Sequence, residues 1–244
     1  MAQQPFIFGK PYLANSIRPP QTNTYQNGNV EQKEQPKKKK DKIIEPIDYD
    51  KVDPGTLTYM NMKNFPNGGF NQEIQYNGGP FKIRTPPLTA LFGVSGYQHN
   101  DGDPIYYSIN LGIPEEVTSE FMQIMERIDF CCDQTKTYGD TYMSFIKFPK
   151  VGKPGLKHLR VKLRSKPIRG QPDQGEKTKL MLSVNLPPGK NGVRKSLKDP
   201  TVEELRKYLL PSTKCSAILR LCSFWRNCNG SCGCSWDTNK IELF

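Results

Sequence analysis

The chain has 244 residues, with 35 Lys and Arg against 24 Asp and Glu, and a formal net charge of +11. No run approaches the eighteen or so apolar residues of a membrane span, and the start, MAQQPFIFGKPYLAN, lacks the apolar core of a signal peptide. Seven cysteines, an odd number with Cys131 and Cys132 adjacent, argue against a disulfide frame and for thiols or metal ligands in a reducing compartment.

Residues 1 to about 50 are rich in Gln, Asn, Pro and Lys and poor in periodic apolar positions, so they are expected to form a disordered tail. Within it PKKKKDK, Pro36 to Lys42, reads as a nuclear-import signal, an auxiliary grip on a polyanion, or a flexible solubilising run. From Asp53 short apolar runs separated by Gly, Pro and Asn predict strands joined by turns: TLTYMNMKNF, NGGF, NGGPFKIRTP and LTALFGVSGY, with a break at Pro86 and Pro87. PIYYSINLGI predicts a further strand. Val117 to Cys131 changes period, placing Phe121, Ile124, Met125 and Ile128 at helical spacing, and predicts one amphipathic helix that packs on a core.

TYMSFIKF is the next expected strand, and after it comes the most informative stretch, LKHLRVKLRSK from Leu156 to Lys166. Leu159, Val161 and Leu163 alternate with His158, Arg160, Lys162 and Arg164, the period of a strand with one apolar and one cationic face. Alternate residues on a strand lie ~6.6 Å apart, close to the spacing of phosphates along a stretched single strand of nucleic acid. Between Asp140 and Asp173 the chain carries nine cations, Lys147, Lys150, Lys153, Lys157, Arg160, Lys162, Arg164, Lys166 and Arg169, and no acid. Such a run repels itself, a cost that a polyanionic partner relieves. Lys190, Arg194, Lys195 and Lys198 add four more, which leaves the rest of the chain slightly acidic and the basicity localised.

KTKLMLSVNL predicts a strand, and Asp199 to Leu210 a short helix with Thr201 and Glu204 in a capping box. The chain ends in an expected hairpin, CSAILRLCSFWRN to SCGCSWDTNKIELF, turned at Asn229-Gly230. With those two residues at its centre, Cys228 opposes Ser231 and Trp225 opposes Cys234. Leu221, Ser223 and Trp225 then share a face with Cys234 and Trp236, while Arg220, Cys222 and Phe224 take the other. Many short strands, two helices and no βαβ alternation indicate a mainly β (α+β) domain over residues 51–244, closed as a barrel or sandwich.

His99 and His158 are the only histidines, and HExxH, GxxxxGK[ST] and GxSxG are all lacking, so neither an enzyme nor a cofactor is expected. Cys222, Cys228, Cys232 and Cys234 lie within thirteen residues and raise a zinc site as an alternative to half-buried thiols, although none of their spacings is C-x2-C. Aromatic rings on a β surface beside cationic strands are the working parts of single-strand binding. Trp236 reads as core, whereas Trp225 and Phe224 fit either core or stacking. The candidate nucleic-acid contacts are Lys147, Lys157, His158, Arg160, Lys162, Arg164, Lys166, Arg220, Phe224 and Trp225, with a neutral His158 making a polar or stacking contact.

Thr85-Pro86, Phe92-Gly93-Val94, the strand around Trp225 and the return Gly233-x-x-Trp236 occur in an order and spacing that resembles the single-stranded-DNA-binding proteins of nucleocytoplasmic large DNA viruses, over about residues 56–244. The resemblance implies an oligonucleotide-binding (OB) barrel that coats replication intermediates without catalysis. Its implied partners are single-stranded DNA, RNA as a second candidate, and replication proteins, with no membrane. Its implied setting is the viral replication site in the host cytoplasm, with nucleus and virion as alternatives. The rival functions are a structural nucleoprotein condensing a viral genome and a zinc-dependent regulator.

Overall fold

The computed structural model describes residues 45–98, 104–115, 118–149, 155–168, 178–189 and 191–244. Expectations placed on 1–44, on His99 and the loop after it, on Lys150, Lys153, Arg169 and Lys190, and on the turn at 170–175 lie outside those residues.

The described chain begins with a two-residue strand, β1 (Ile47–Asp48), which pairs in parallel with a later strand although it falls within the expected tail. Two 3-10 turns, Tyr49–Lys51 and Pro54–Thr56, lead to β2 (Leu57–Asn64), β3 (Phe70–Tyr76), β4 (Gly79–Arg84), β5 (Leu88–Tyr97) and β6 (Tyr106–Gly112). Asn77 and Gly78 both have positive φ, 50° and 74°, and make the two-residue turn that joins β3 to β4 with Tyr76 opposite Gly79. Helix α1 (Thr118–Asp133) buries Phe121, Met125, Ile128 and Cys132, one stripe at helical spacing, and the Phe121 ring meets Tyr49 edge-on at 5.5 Å.

Next come β7 (Thr141–Met143), β8 (Ile146–Lys147), β9 (His158–Leu163), β10 (Ser165–Pro167), β11 (Thr178–Leu180), β12 (Ser183–Asn185) and β13 (Ser196–Lys198). The expected strand TYMSFIKF is thus two strands, because the Ser144 hydroxyl breaks the extended run by bonding Asp129 at 2.5 Å and accepting from Ile146 N at 3.1 Å. KTKLMLSVNL is also split, at Met181, whose N–H donates to Arg164 O at 2.7 Å. Helix α2 (Val202–Tyr208) starts with the expected capping box: Glu204 N donates to Thr201 Oγ1 at 3.2 Å and Thr201 N to Glu204 Oε2 at 2.9 Å. Two thirteen-residue strands, β14 (Lys214–Arg226) and β15 (Ser231–Leu243), finish the chain.

The architecture is mainly β with two α-helices among the described residues. Strands β5, β6, β9, β15 and β14 pair in that order and β14 returns to β5, so five strands close a hydrogen-bonded ring. Every pairing in the ring is antiparallel except β9 with β15. Inward residues paired across neighbouring strands, such as Val94, Ile109 and Val161, fill its interior at full burial or close to it. Strands β4 and β3 extend the sheet from β14, and β2 lies beyond β3.

The backbone is pinned at places where the sequence looks irregular. Between β4 and β5, Thr85 is bonded three times to the start of β14: Thr85 N to Ala217 O at 2.9 Å, Ala217 N to Thr85 Oγ1 at 3.0 Å and Ser216 Oγ to Thr85 O at 2.7 Å. In β5 the pairing with β6 jumps from Ala90 to Val94, a bulge in which Gly93 takes φ 65° and a side chain would press on Leu209 O at 3.0 Å.

The terminal hairpin corrects the expected register. Arg226 pairs with Cys232 and Trp225 with Gly233, so the loop holds three residues, Cys228, Asn229 and Gly230, with Gly230 at φ 80°. The shift seats Phe224 opposite Cys234 on the inner face, 1% exposed and 6.0 Å from the Phe70 ring. Phe224 is therefore a core residue and not a stacking platform. Phe224→Ala should lower stability by about 3–5 kcal/mol, read as a fall in the denaturant midpoint. A loss under about 1 kcal/mol would place the ring outside the core.

Candidate nucleic-acid interface

Strand β9 shows the alternation its sequence announces. Leu159, Val161 and Leu163 are buried while Arg160 and Lys162 are exposed on the outer face. Register then carries the outer face across the ring: Ser95 of β5 opposes Ser108 of β6, Ser108 opposes Lys162 of β9, Lys162 opposes Asp237 of β15, and Asp237 opposes Arg220 of β14. One strand step away, Tyr97 opposes Tyr106, both about half exposed.

A groove follows this face in two adjoining hollows of about 770 and 570 Å³, which share Tyr106, Tyr107, Lys162, Trp225 and Ser235. The larger adds Phe65, Asn71, Arg164, Arg220 and Arg226, and the smaller adds Tyr97, Met143, Lys147 and Arg160. The Trp225 side chain is half-buried and lies against Gly233, where an added Cβ would meet the indole Cζ2 at 3.1 Å and Met143 O at 2.8 Å. Gly233 is thus required for the close approach that seats the ring. Trp236, opposite the buried Leu221, is 2% exposed and packs edge-on against Phe145 at 5.4 Å.

The groove cations are held mainly by neutral oxygens. Arg160 Nε donates to Ser108 Oγ at 3.3 Å, Lys162 Nζ to Ser235 Oγ at 3.4 Å and Lys147 Nζ to Ser144 O at 2.6 Å. These contacts orient the side chains and leave their charge uncancelled. Arg220 differs, because it donates to both Asp237 oxygens, from Nε at 3.1 Å and Nη2 at 2.5 Å. Arg226 likewise grips Asp140, its Nε lying 2.9 and 2.8 Å from the two carboxylate oxygens.

Seven of the ten expected contacts have a place in or beside this groove. Lys147, Arg160, Lys162, Arg164, Arg220 and Trp225 line it, and His158 sits on the same face of β9, half-buried, with Nδ1 3.3 Å from Leu156 O. Phe224 is in the core. Lys157 turns to helix α1, pairing with Glu126 at 3.3 Å and lying 5.1 Å above the Phe148 ring. Lys166 is on β10 opposite Lys179, away from the groove lining. Tyr97, Tyr106 and Phe65 are ring-bearing groove residues that the sequence reading missed, and the alternation of YYSINL was the one available signal for Tyr106.

The four clustered cysteines do not converge. Cys222 lines the groove, and burial pushes its thiol up to about 11; Cys228 is exposed in the loop, Cys232 is buried and Cys234 lies on the inner side opposite Phe224. Among the described residues no three His, Cys, Asp or Glu side chains gather as a metal site, which corrects the zinc alternative.

No protein-family model and no curated protein matches the chain. Among solved structures it is similar to a single-stranded DNA-binding protein from bacteriophage Enc34 in complex with ssDNA, at 15% identity and a TM-score of 0.45, over 76% of this chain and 94% of that one. It is also similar to gp2.5, a single-stranded DNA-binding protein encoded by bacteriophage T7, at 14% identity and a TM-score of 0.42, over 68% of this chain and 86% of that one.

Arg226, at the edge of the groove, is tied to a carboxylate, Asp140, that lies outside the lining. The Arg226 hydrogen bond holds the Asp140 carboxyl below its ordinary range, so its stabilisation is present above the unfolded value near 4 and disappears as pH falls through the lower folded value. Asp140→Asn should melt below wild type at pH 7, and the gap in Tm should close as the pH falls below about 4. A gap that is constant with pH would show that the carboxylate charge contributes nothing.

Proposed function

We propose that the protein binds single-stranded DNA without catalysis and coats strands exposed during replication, repair or recombination of a viral genome. The observation that carries this reading is the union, in one groove, of Arg160 and Lys162 on β9 and Arg164 just beyond it with the rings of Tyr97, Tyr106 and Trp225. Cations spaced along a strand suit phosphates, and half-exposed rings suit unpaired bases, each worth about 1–3 kcal/mol in stacking. Among the described residues the groove's one acidic lining residue, Asp237, is already bound to Arg220, so its charge is met within the protein.

An OB barrel is the fold that best accounts for the ring. In chain order its strands meet as first, second, third, fifth and fourth before returning to the first, with third and fifth parallel, which is a Greek-key closure of five strands. The motifs that resemble the viral family also fall on working positions: Thr85 at the strand crossing, Gly93 in the bulge, Trp225 in the groove and Gly233 beneath it. RNA shares the chemistry these contacts read and is the natural competitor ligand.

Intrinsic fluorescence reports on the groove, since both tryptophans of the chain line its smaller hollow, Trp225 half-buried and Trp236 2% exposed. A single-stranded oligonucleotide should quench it and should outcompete a duplex of matched length at moderate salt, because duplex bases are closed to the rings. Equal affinity for both forms would favour a genome-condensing role.

Replacing Arg160, Lys162 and Arg164 together with Gln should flatten the dependence of log K on log salt by about 0.7 per lost contact, roughly two units in all. Trp225→Ala should weaken binding by about 1–3 kcal/mol and leave that slope in place, since stacking releases no counterions. An unaltered slope in the triple variant would mean that this face does not meet the strand.

A further inference from the structure

We propose that the strand held in the groove continues onto a second cationic row, formed by Arg84, Lys240 and Lys198 on the outer face of the sheet; this rests on the single-strand reading of the groove. The two rows are joined through β4. Arg220, at the groove, opposes Lys82, and Lys82 and Arg84 lie two residues apart on β4, alternating with the buried Phe81 and Ile83.

Register lays out the second row. Arg84 opposes Ile218 of β14, Ile218 opposes Lys240 of β15, Lys240 opposes Ser183 of β12, and Ser183 opposes Lys198 of β13. Neighbouring strands lie ~4.8 Å apart, so the three cations recur every ~10 Å over ~20 Å of surface, within the reach of long, flexible side chains following a phosphate chain.

Two features set this row apart from a merely solvated face. Acids beside it in register or sequence are engaged by other cations: Asp48, opposite Arg84, by Lys51 at 3.0 Å, Asp199 by Lys179 at 3.6 Å and Glu242 by Arg194. Arg84, Lys198 and Lys240 themselves make no ion pair among the described residues, and three like charges on one face carry a repulsion that a polyanion removes. The row also needs a local distortion to exist: the pairing of β14 with β15 shifts between Ile218 and Leu219, leaving Asn239 unpaired and returning Lys240 to the face of Asp237.

Length dependence tests the proposal. The protein should bind an oligonucleotide of about 20 nucleotides more tightly than one of about six, the short one filling the groove alone. In the triple variant R84Q/K198Q/K240Q the short oligonucleotide should bind within twofold of wild type. Affinity for the long one should fall roughly tenfold or more at low salt, with its salt slope flattened by about two units. The charge-retaining variant R84K/K198R/K240R should bind as wild type does, which separates lost charge from lost fold.

Unchanged binding of the long oligonucleotide by the Gln variant would overturn the proposal. Equal weakening toward both lengths would overturn it too, because the row would then not be a separate extension. Failure of wild type to bind the short oligonucleotide is a distinct result, and it would sink the groove reading itself.

Discussion

The backbone ladder between β14 and β15 is the interaction on which the rest of the molecule depends. Each strand is thirteen residues long and shares its free edge with several others: β14 pairs with β3, β4 and β5, and β15 with β7, β9 and β12. A single hydrogen bond in such a ladder contributes only about 1 kcal/mol net, but its geometry is restrictive. Lys162 on β9 and Trp225 on β14 are held at a fixed separation because β15 stands between them and bonds to both strands. The centre of the groove is therefore a property of the ladder, while Phe65, Asn67 and Gly69 reach its rim from the turn between β2 and β3.

A regular ladder would not have produced this surface. Arg220 and Trp225 are five residues apart and would face opposite ways on an unbroken strand. The shift between Leu221 and Ser223 leaves Cys222 unpaired, and the extra residue brings both side chains to the outer face while Leu221 and Phe224 both point inward. The bulge in β5 acts in the same manner, placing Val94 inside and leaving Phe92 67% exposed. Small irregularities in pairing thus convert alternating sequences into continuous polar and apolar faces.

The same irregularities set the boundary of what the sequence could reveal. Strand β9 has an unbroken period of two from His158 to Leu163, and its two faces were legible at once. The existence of the terminal hairpin was legible as well, but its register was not, because Asn-Gly commonly fills a two-residue turn and here Asn229 and Gly230 belong to a loop of three. One residue of slip was enough to misplace Phe224 among the contacts. Lys157 and Lys166 are close in sequence to the groove cations, yet one is drawn to Glu126 and Phe148 and the other leaves on β10. Tyr97 and Tyr106 were missed for the converse reason, since only the pairing of β5 with β6 makes them neighbours of Lys162.

Charge in the groove divides into two kinds, and the division follows from the partners each cation keeps. Arg220 and Arg226 are bound to carboxylates, so their charge is spent inside the protein and their role is to fix the walls: Arg220 ties β14 to β15, and Arg226 ties the hairpin tip to the turn that precedes β7. Arg160, Lys162 and Lys147 are bound to hydroxyl and carbonyl oxygens, which supply direction without neutralising anything. A phosphate arriving at the second set displaces counterions and breaks no ion pair, whereas one arriving at the first must compete with a bidentate carboxylate. The attraction for a polyanion is accordingly concentrated along β9, while the neutral centre around Arg220 and Asp237 lies close to the rings. For the proposed single-stranded ligand, that arrangement favours phosphates along one side of the groove and bases turned inward to Trp225 and Tyr106.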